Sequence, residues 1–127
     1  MKRKETLKKI FRQAWNEKTC FPLARKGWDR SVPEIGQCAV TSLILQEVYG
    51  GKIAYNKNLN HFWNELPSGR IIDLTIEQFK NCESLKPDFY IDRSEILYSK
   101  DAKRFKTEKR YRLLKERTSN LIEDHHK

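Results

Sequence analysis

Three residues spaced along this 127-residue chain can do chemistry together. Cys38 sits in Gly36-Gln37-Cys38-Ala39-Val40-Thr41, His61 in His61-Phe62-Trp63, and Asp73 in Asp73-Leu74-Thr75. Cysteine, histidine and aspartate in that order suit a thiol nucleophile, its base, and the group that orients the base. A site of this kind attacks an acyl carbon, forms a thioester and yields it to water or an amine. It also needs donors for the oxyanion. The Cys38 N–H is one. The Gln37 side chain and the Trp28 indole are candidates for the other, and Trp63 is a candidate wall for the substrate.

These residues must be held by local structure. Val40, Leu43, Ile44 and Val48 form one apolar helical face, which Leu45 and Tyr49 extend. A helix apolar almost all round is a buried one. Gly36 permits a close approach at its start, and Gly50-Gly51 supply positive φ at its end. Cys38 thus opens a central helix, where free N–H groups and the helix dipole favour a thiolate. The competing reading is a small buried hydrophobe, the commonest fate of cysteine. Residues 52–57 and 61–66 read as strands joined by the turn Asn58-Leu59-Asn60, and 70–74 as a third strand after Pro67-Ser68-Gly69. A hairpin centred on Pro67 sets His61 opposite Asp73, with Cβ atoms about 5 Å apart. Without Cys38, that pair would be an ordinary surface ion pair.

The rest of the chain frames this unit. Leu7, Ile10, Phe11, Ala14 and Trp15 predict an amphipathic helix over 4–17. Residues 18–35 read as a long irregular loop, whose Phe21 and Trp28 seal the core or line a groove above Cys38. Thr75 through Gln78 is a capping signal for a short helix over 76–83 carrying Phe79 and Cys82. Cys20 and Cys82 read as structural. Residues 84–93 read as loop, and Ser94–Tyr98 as a turn of helix. Tyr111, Leu114, Thr118, Leu121 and Ile122 mark a last helix over 103–123, with Thr107-Glu108 a local start. His125-His126 read as a frayed tail. The sum is one α+β domain over 1–127, a central helix on a small antiparallel sheet with flanking terminal helices.

Composition narrows the function classes. The chain is 38% hydrophobic and 34% charged, with no apolar run near the ~20 residues that span a membrane. No apolar signal-peptide core follows the basic N-terminus, so a cytoplasmic protein is the expectation. Three cysteines without CxxC spacing suggest neither a zinc site nor a disulfide framework. No metal or cofactor is expected. The net charge of +9 raises a nucleic-acid reading. Residues 1–30 hold 10 Lys/Arg against 3 Asp/Glu, residues 31–100 hold 7 against 9, and residues 101–127 hold 9 against 5. The excess lies on two terminal helices, away from the candidate site, and no basic stripe alternates with stacking aromatics. Solvated helix faces account for it better than a phosphate-tracking patch.

The order of elements is the layout of papain-like folds. His61-Phe62-Trp63-Asn64, the Gly69-containing turn and Asp73-Leu74-Thr75 resemble the histidine and aspartate strands of transglutaminase-like proteins, and Gly36-Gln37-Cys38 resembles their nucleophile motif. More closely, the chain resembles the small bacterial YunG-like family nearly end to end. That match runs from Leu7, Phe11 and Trp15, through Gly36–Thr41 and Asp73–Thr75, to Arg110–Arg117. The resemblance implies the fold and the Cys38–His61–Asp73 triad, with a peptide, amide or acyl substrate left unnamed. One departure stands out. Papain-like proteases carry an oxyanion-hole glutamine several residues before the cysteine, whereas Val32 lies six before Cys38. Two other readings stay open: a non-catalytic binding module on the same fold, and a basic nucleic-acid-associated protein.

Overall fold

The computed structural model describes residues 4–76 and 86–126, with side chains of the last helix described as far as Leu121. Helix α1 spans Lys4–Ala14, and its predicted apolar stripe is buried in full. The connection to the central helix contains a 3-10 segment, Pro22–Gly27, and one isolated bridge between Asp29 and Val32. Helix α2 spans Cys38–Tyr49 and buries Val40 through Leu45. Its last turn emerges, so Val48, expected inside, is 57% exposed.

Four strands follow: β1 Lys52–Asn56, β2 His61–Glu65, β3 Ile71–Ile72 and β4 Phe89–Ile91. They form one antiparallel sheet in the order β3-β2-β1-β4. Helices α3 (Arg93–Tyr98), α4 (Lys100–Arg104) and α5 (Thr107–His126) complete the described chain. Helix α2 lies between the β1–β2 hairpin and α5, and α5 also covers α1. The α+β class with a helix on a small antiparallel sheet is therefore present. Trp15, Phe11, Leu43, Leu45, Ile53, Ile72 and Leu114 fill the core between these layers. Each such side chain contributes roughly 1.5–3 kcal/mol on burial.

Several expectations need correction. Residues 84–93 are not all loop, because Phe89–Ile91 pair with β1. Asp88 prepares that pairing: its N–H donates to Tyr55 O and its carboxylate accepts from Lys57 N–H. The terminal helix is not continuous from 103. It breaks at Phe105-Lys106, where Lys106 has φ 55°, and restarts at Thr107. The β2–β3 turn is centred on Ser68 rather than Pro67, since Asn64 faces Ile72 and Leu66 N–H donates to Arg70 O. The expected helix over 76–83, with Phe79 and Cys82, lies outside the described residues.

Candidate functional site

The N-terminus of α2 is built by close backbone approach. Gly36 has φ +71°, and its O accepts from Phe21 N–H at 2.8 Å. A Cβ at Gly36 would stand 2.6 Å from Cys20 Sγ and 2.9 Å from Phe21 N. Only glycine fits such a position at low cost. Gln37 follows as the cap residue, and Thr41 N–H makes the first helical bond to its O. The N–H groups of residues 38–40 thus have no helical acceptor, as the first turn of any helix requires. Cys38 sits there half-buried.

The register correction explains how Asp73 still meets His61. Extending the β2–β3 pairing sets Asp73 opposite Trp63 and makes His61 its diagonal neighbour on the same sheet face. A slip of one residue would have put them on opposite faces, whereas the actual shift of two preserves the side. His61 Nε2 lies 2.6 Å from Asp73 Oδ2. An ionised carboxylate only accepts, so Nε2 carries the proton of this bond. The other carboxylate oxygen, Oδ1, accepts from Thr75 N–H at 3.1 Å and Thr75 Oγ1 at 3.3 Å. The Asp73-Leu74-Thr75 motif is therefore a local turn that fixes the carboxylate. Trp63 stacks on the imidazole, with centroids 5.7 Å apart at 26°.

His61 is fully buried and Asp73 nearly so. Burial alone would favour a neutral imidazole. Hydrogen bonds to Asp73 and to the Cys38 side chain outweigh it and raise the His61 pKa from 6.5 to about 9. With Nε2 held by Asp73, the hydrogen bond to Cys38 falls to the buried Nδ1. Cys38 Sγ also lies 3.8 Å from Asn60 O. Asn60 has φ 47°, a conformation asparagine tolerates, and its side chain accepts from Tyr55 Oη at 2.7 Å.

Cys38 opens onto a cleft of about 410 Å³. Its walls come from the 3-10 segment, the start of α2, the β1–β2 turn, α4 and the start of α5. Phe21, Tyr55, Phe62 and Phe105 give its mostly apolar lining an aromatic part, and Arg110 joins them. This volume lies within the ordinary range for small-molecule sites.

The structure thus brings Cys38, His61 and Asp73 together, with Trp63 against the histidine. Gln37, Trp28 and Trp63 do not line the cleft, and Trp63, expected as a substrate wall, is instead buried against His61. Gln37 is fully buried. Its Nε2 donates to Asn16 O at 3.0 Å, and its Oε1 accepts from Thr19 Oγ1 at 2.8 Å. It secures the 16–19 turn instead of awaiting an oxyanion. Trp28 Nε1 donates to Pro33 O at 3.2 Å, and its ring carries Arg30. Sequence reasoning missed Asn60 and Arg110. Asn60 was legible as a turn residue, while Arg110 looked like one more charge on a basic helix. Among the described residues no group of three His, Cys, Asp or Glu could hold a metal ion, and no helix is long and apolar enough to cross a membrane.

Fold and site describe an α+β protein in which a helix-opening cysteine meets a histidine–aspartate pair carried by a small sheet. The chain belongs to the YunG family: the family described as "YunG protein" matches residues 3–123. It is 29% identical over 102 residues to "Uncharacterized protein YunG" of Bacillus subtilis (strain 168), across 74% of this chain and 84% of that protein. No solved structure matches the chain.

Proposed function

We propose that this protein is a small cysteine hydrolase or acyltransferase, acting on an amide, peptide or other acyl substrate from a reduced papain- or transglutaminase-like core. The observation that carries the reading is His61 held at 2.6 Å by Asp73, with Cys38 as its other partner at the mouth of a cleft. In this scheme His61 takes the Cys38 proton on Nδ1, and the thiolate attacks the acyl carbon. The Cys38 N–H donates to the oxyanion. As the tetrahedral intermediate collapses, the carbon–leaving-group bond breaks and the imidazolium protonates the leaving group. Water or an amine, deprotonated by the same imidazole, then attacks the thioester and regenerates the thiol.

One observation favours a second reading, a binding module on the same scaffold. Neither side-chain donor expected for the oxyanion faces the cleft, since both bond to other parts of the chain. An electrophilic acyl probe separates the two. A catalytic site labels at Cys38, loses labelling in Cys38→Ser, and labels at least tenfold more slowly in His61→Ala, the scale of general-base assistance. Labelling indifferent to His61→Ala rules the enzyme reading out.

A further inference from the structure

Arg110 is 5% exposed, and it lines the cleft into which Cys38 opens. Its Nε donates to Phe105 O at 3.0 Å, Nη1 to Thr19 O at 3.3 Å, and Nη2 to Thr107 Oγ1 at 3.2 Å. Its guanidinium also lies 5.8 Å from the Phe21 ring centre. All four partners are uncharged. Buried guanidinium groups are ordinarily matched by a carboxylate, because removing the charge from water is costly. Among the described residues no carboxylate pairs with Arg110. The other charged residues of the cleft wall, Glu95 and Asp101, are exposed. Arg110 has five N–H donors, and three acceptors leave donor capacity beside an open cleft. Burial pulls its pKa down to about 10, which still leaves it cationic at neutral pH.

We propose that Arg110 makes this cleft a receptor for a carboxylate, so that the substrate of Cys38 is an acyl compound with an aromatic or apolar body and a free carboxylate. The body lies against Phe21, Tyr55, Phe62 and Phe105, and the carboxylate meets the guanidinium. This deepens the acyl-transfer reading and rests on it for the word substrate, but the anion site itself does not depend on thiol chemistry.

The test has two arms. The first is NMR titration of the whole protein with 3-phenylpropionate and with its uncharged amide. The carboxylate should bind at least tenfold more tightly, a typical margin for a charge-assisted contact. It should shift the Arg110 Nε–H resonance, which the amide leaves in place. Arg110→Gln should abolish the preference, and Arg110→Lys should keep part of it. Equal binding of acid and amide overturns the proposal, as does a preference that survives Arg110→Gln. Arg110 also fastens the start of α5; if Arg110→Gln does not fold, the wild-type Nε–H shift decides alone.

The second arm compares alkylation of Cys38 by iodoacetate and iodoacetamide, in which the thiolate displaces iodide from carbon. The iodoacetate-to-iodoacetamide rate ratio should fall several-fold from wild type to Arg110→Lys, whose ammonium has no bidentate fork. An unchanged ratio counts against the site. A thiol indifferent to His61→Ala, beside an intact carboxylate preference, would end the enzyme reading and leave the anion receptor standing. A His61-dependent thiol with no preference would do the reverse.

Discussion

His61 sets two forces against each other. Full burial penalises the imidazolium, and hydrogen bonds to Asp73 and Cys38 stabilise it. The partners win, and the folded-state pKa of about 9 stands above the ordinary 6.5. Linkage fixes the sign. A group whose pKa is raised by folding contributes stability in full below its unfolded value, and that contribution fades as pH rises through the folded value. Urea denaturation should therefore show stability falling between pH 6.5 and about 9, by at most on the order of 3 kcal/mol. In Asp73→Asn this slope should flatten. A wild-type profile that is level over that window would contradict the imidazolium. The same residue scale separates the thiols. Cys20 is fully buried and its pKa is raised by burial, although Arg110 and Arg25 oppose the shift. Iodoacetamide should label half-buried Cys38 at least tenfold faster than Cys20 in the native protein, as mass spectrometry of the peptides would show.

At the scale of elements, the start of α2 depends on one glycine. Alanine at Gly36 would hold an L side chain at φ +71° and drive its Cβ against Phe21 N and Cys20 Sγ. Left-handed strain alone costs about 1–3 kcal/mol, and the backbone clash adds to it. Gly36→Ala should lower stability by at least 2 kcal/mol and slow Cys38 labelling, because the strain falls two residues from the thiol. Gly69 has φ +89° but open space around it, so Gly69→Ala is the control that isolates the conformational cost. Elements defined by local pattern were legible in the sequence: the α1 stripe, the buried α2, the Gly50 stop and the Thr107 start. What was not legible depended on distant partners. β4 is three residues long and exists through its pairing with Tyr55, some thirty residues earlier. The same is true of Gln37. A glutamine beside a nucleophile reads as a donor until the turn at Asn16–Thr19 is seen to occupy its amide. His61 and Asp73 still share a sheet face despite the wrong turn centre, because moving the centre by one residue shifts the pairing by two.

Over the whole molecule, the two basic ends close on each other. Arg117 Nε donates to Ala14 O at 2.6 Å, and Arg30 donates to Arg12 O and Trp15 O, so cations satisfy the last carbonyls of α1. Arg12 pairs with buried Glu34 at 2.7 Å. Part of the net charge of +9 therefore works inside the fold, a use that counting charges along the sequence cannot reveal. Helix α5 is the common element. Leu114 is fully buried in the core, Tyr111 and Lys115 bond to Glu47 of α2, and Arg110 reaches Thr19 O beside Cys20. If α5 belongs to one cooperative unit with α1, α2 and the sheet, Cys20 becomes reactive only when the whole molecule opens. Leu114→Ala should cost about 2–5 kcal/mol, the range for emptying a fully buried leucine site. Native-state alkylation of Cys20 should then accelerate by the same free energy, about tenfold for each 1.4 kcal/mol that urea denaturation records. Acceleration far beyond that figure would mean that α5 peels away by itself. The cleft wall carrying Arg110 would then open independently of Cys38, His61 and Asp73, which lie on α2, β2 and the turn after β3.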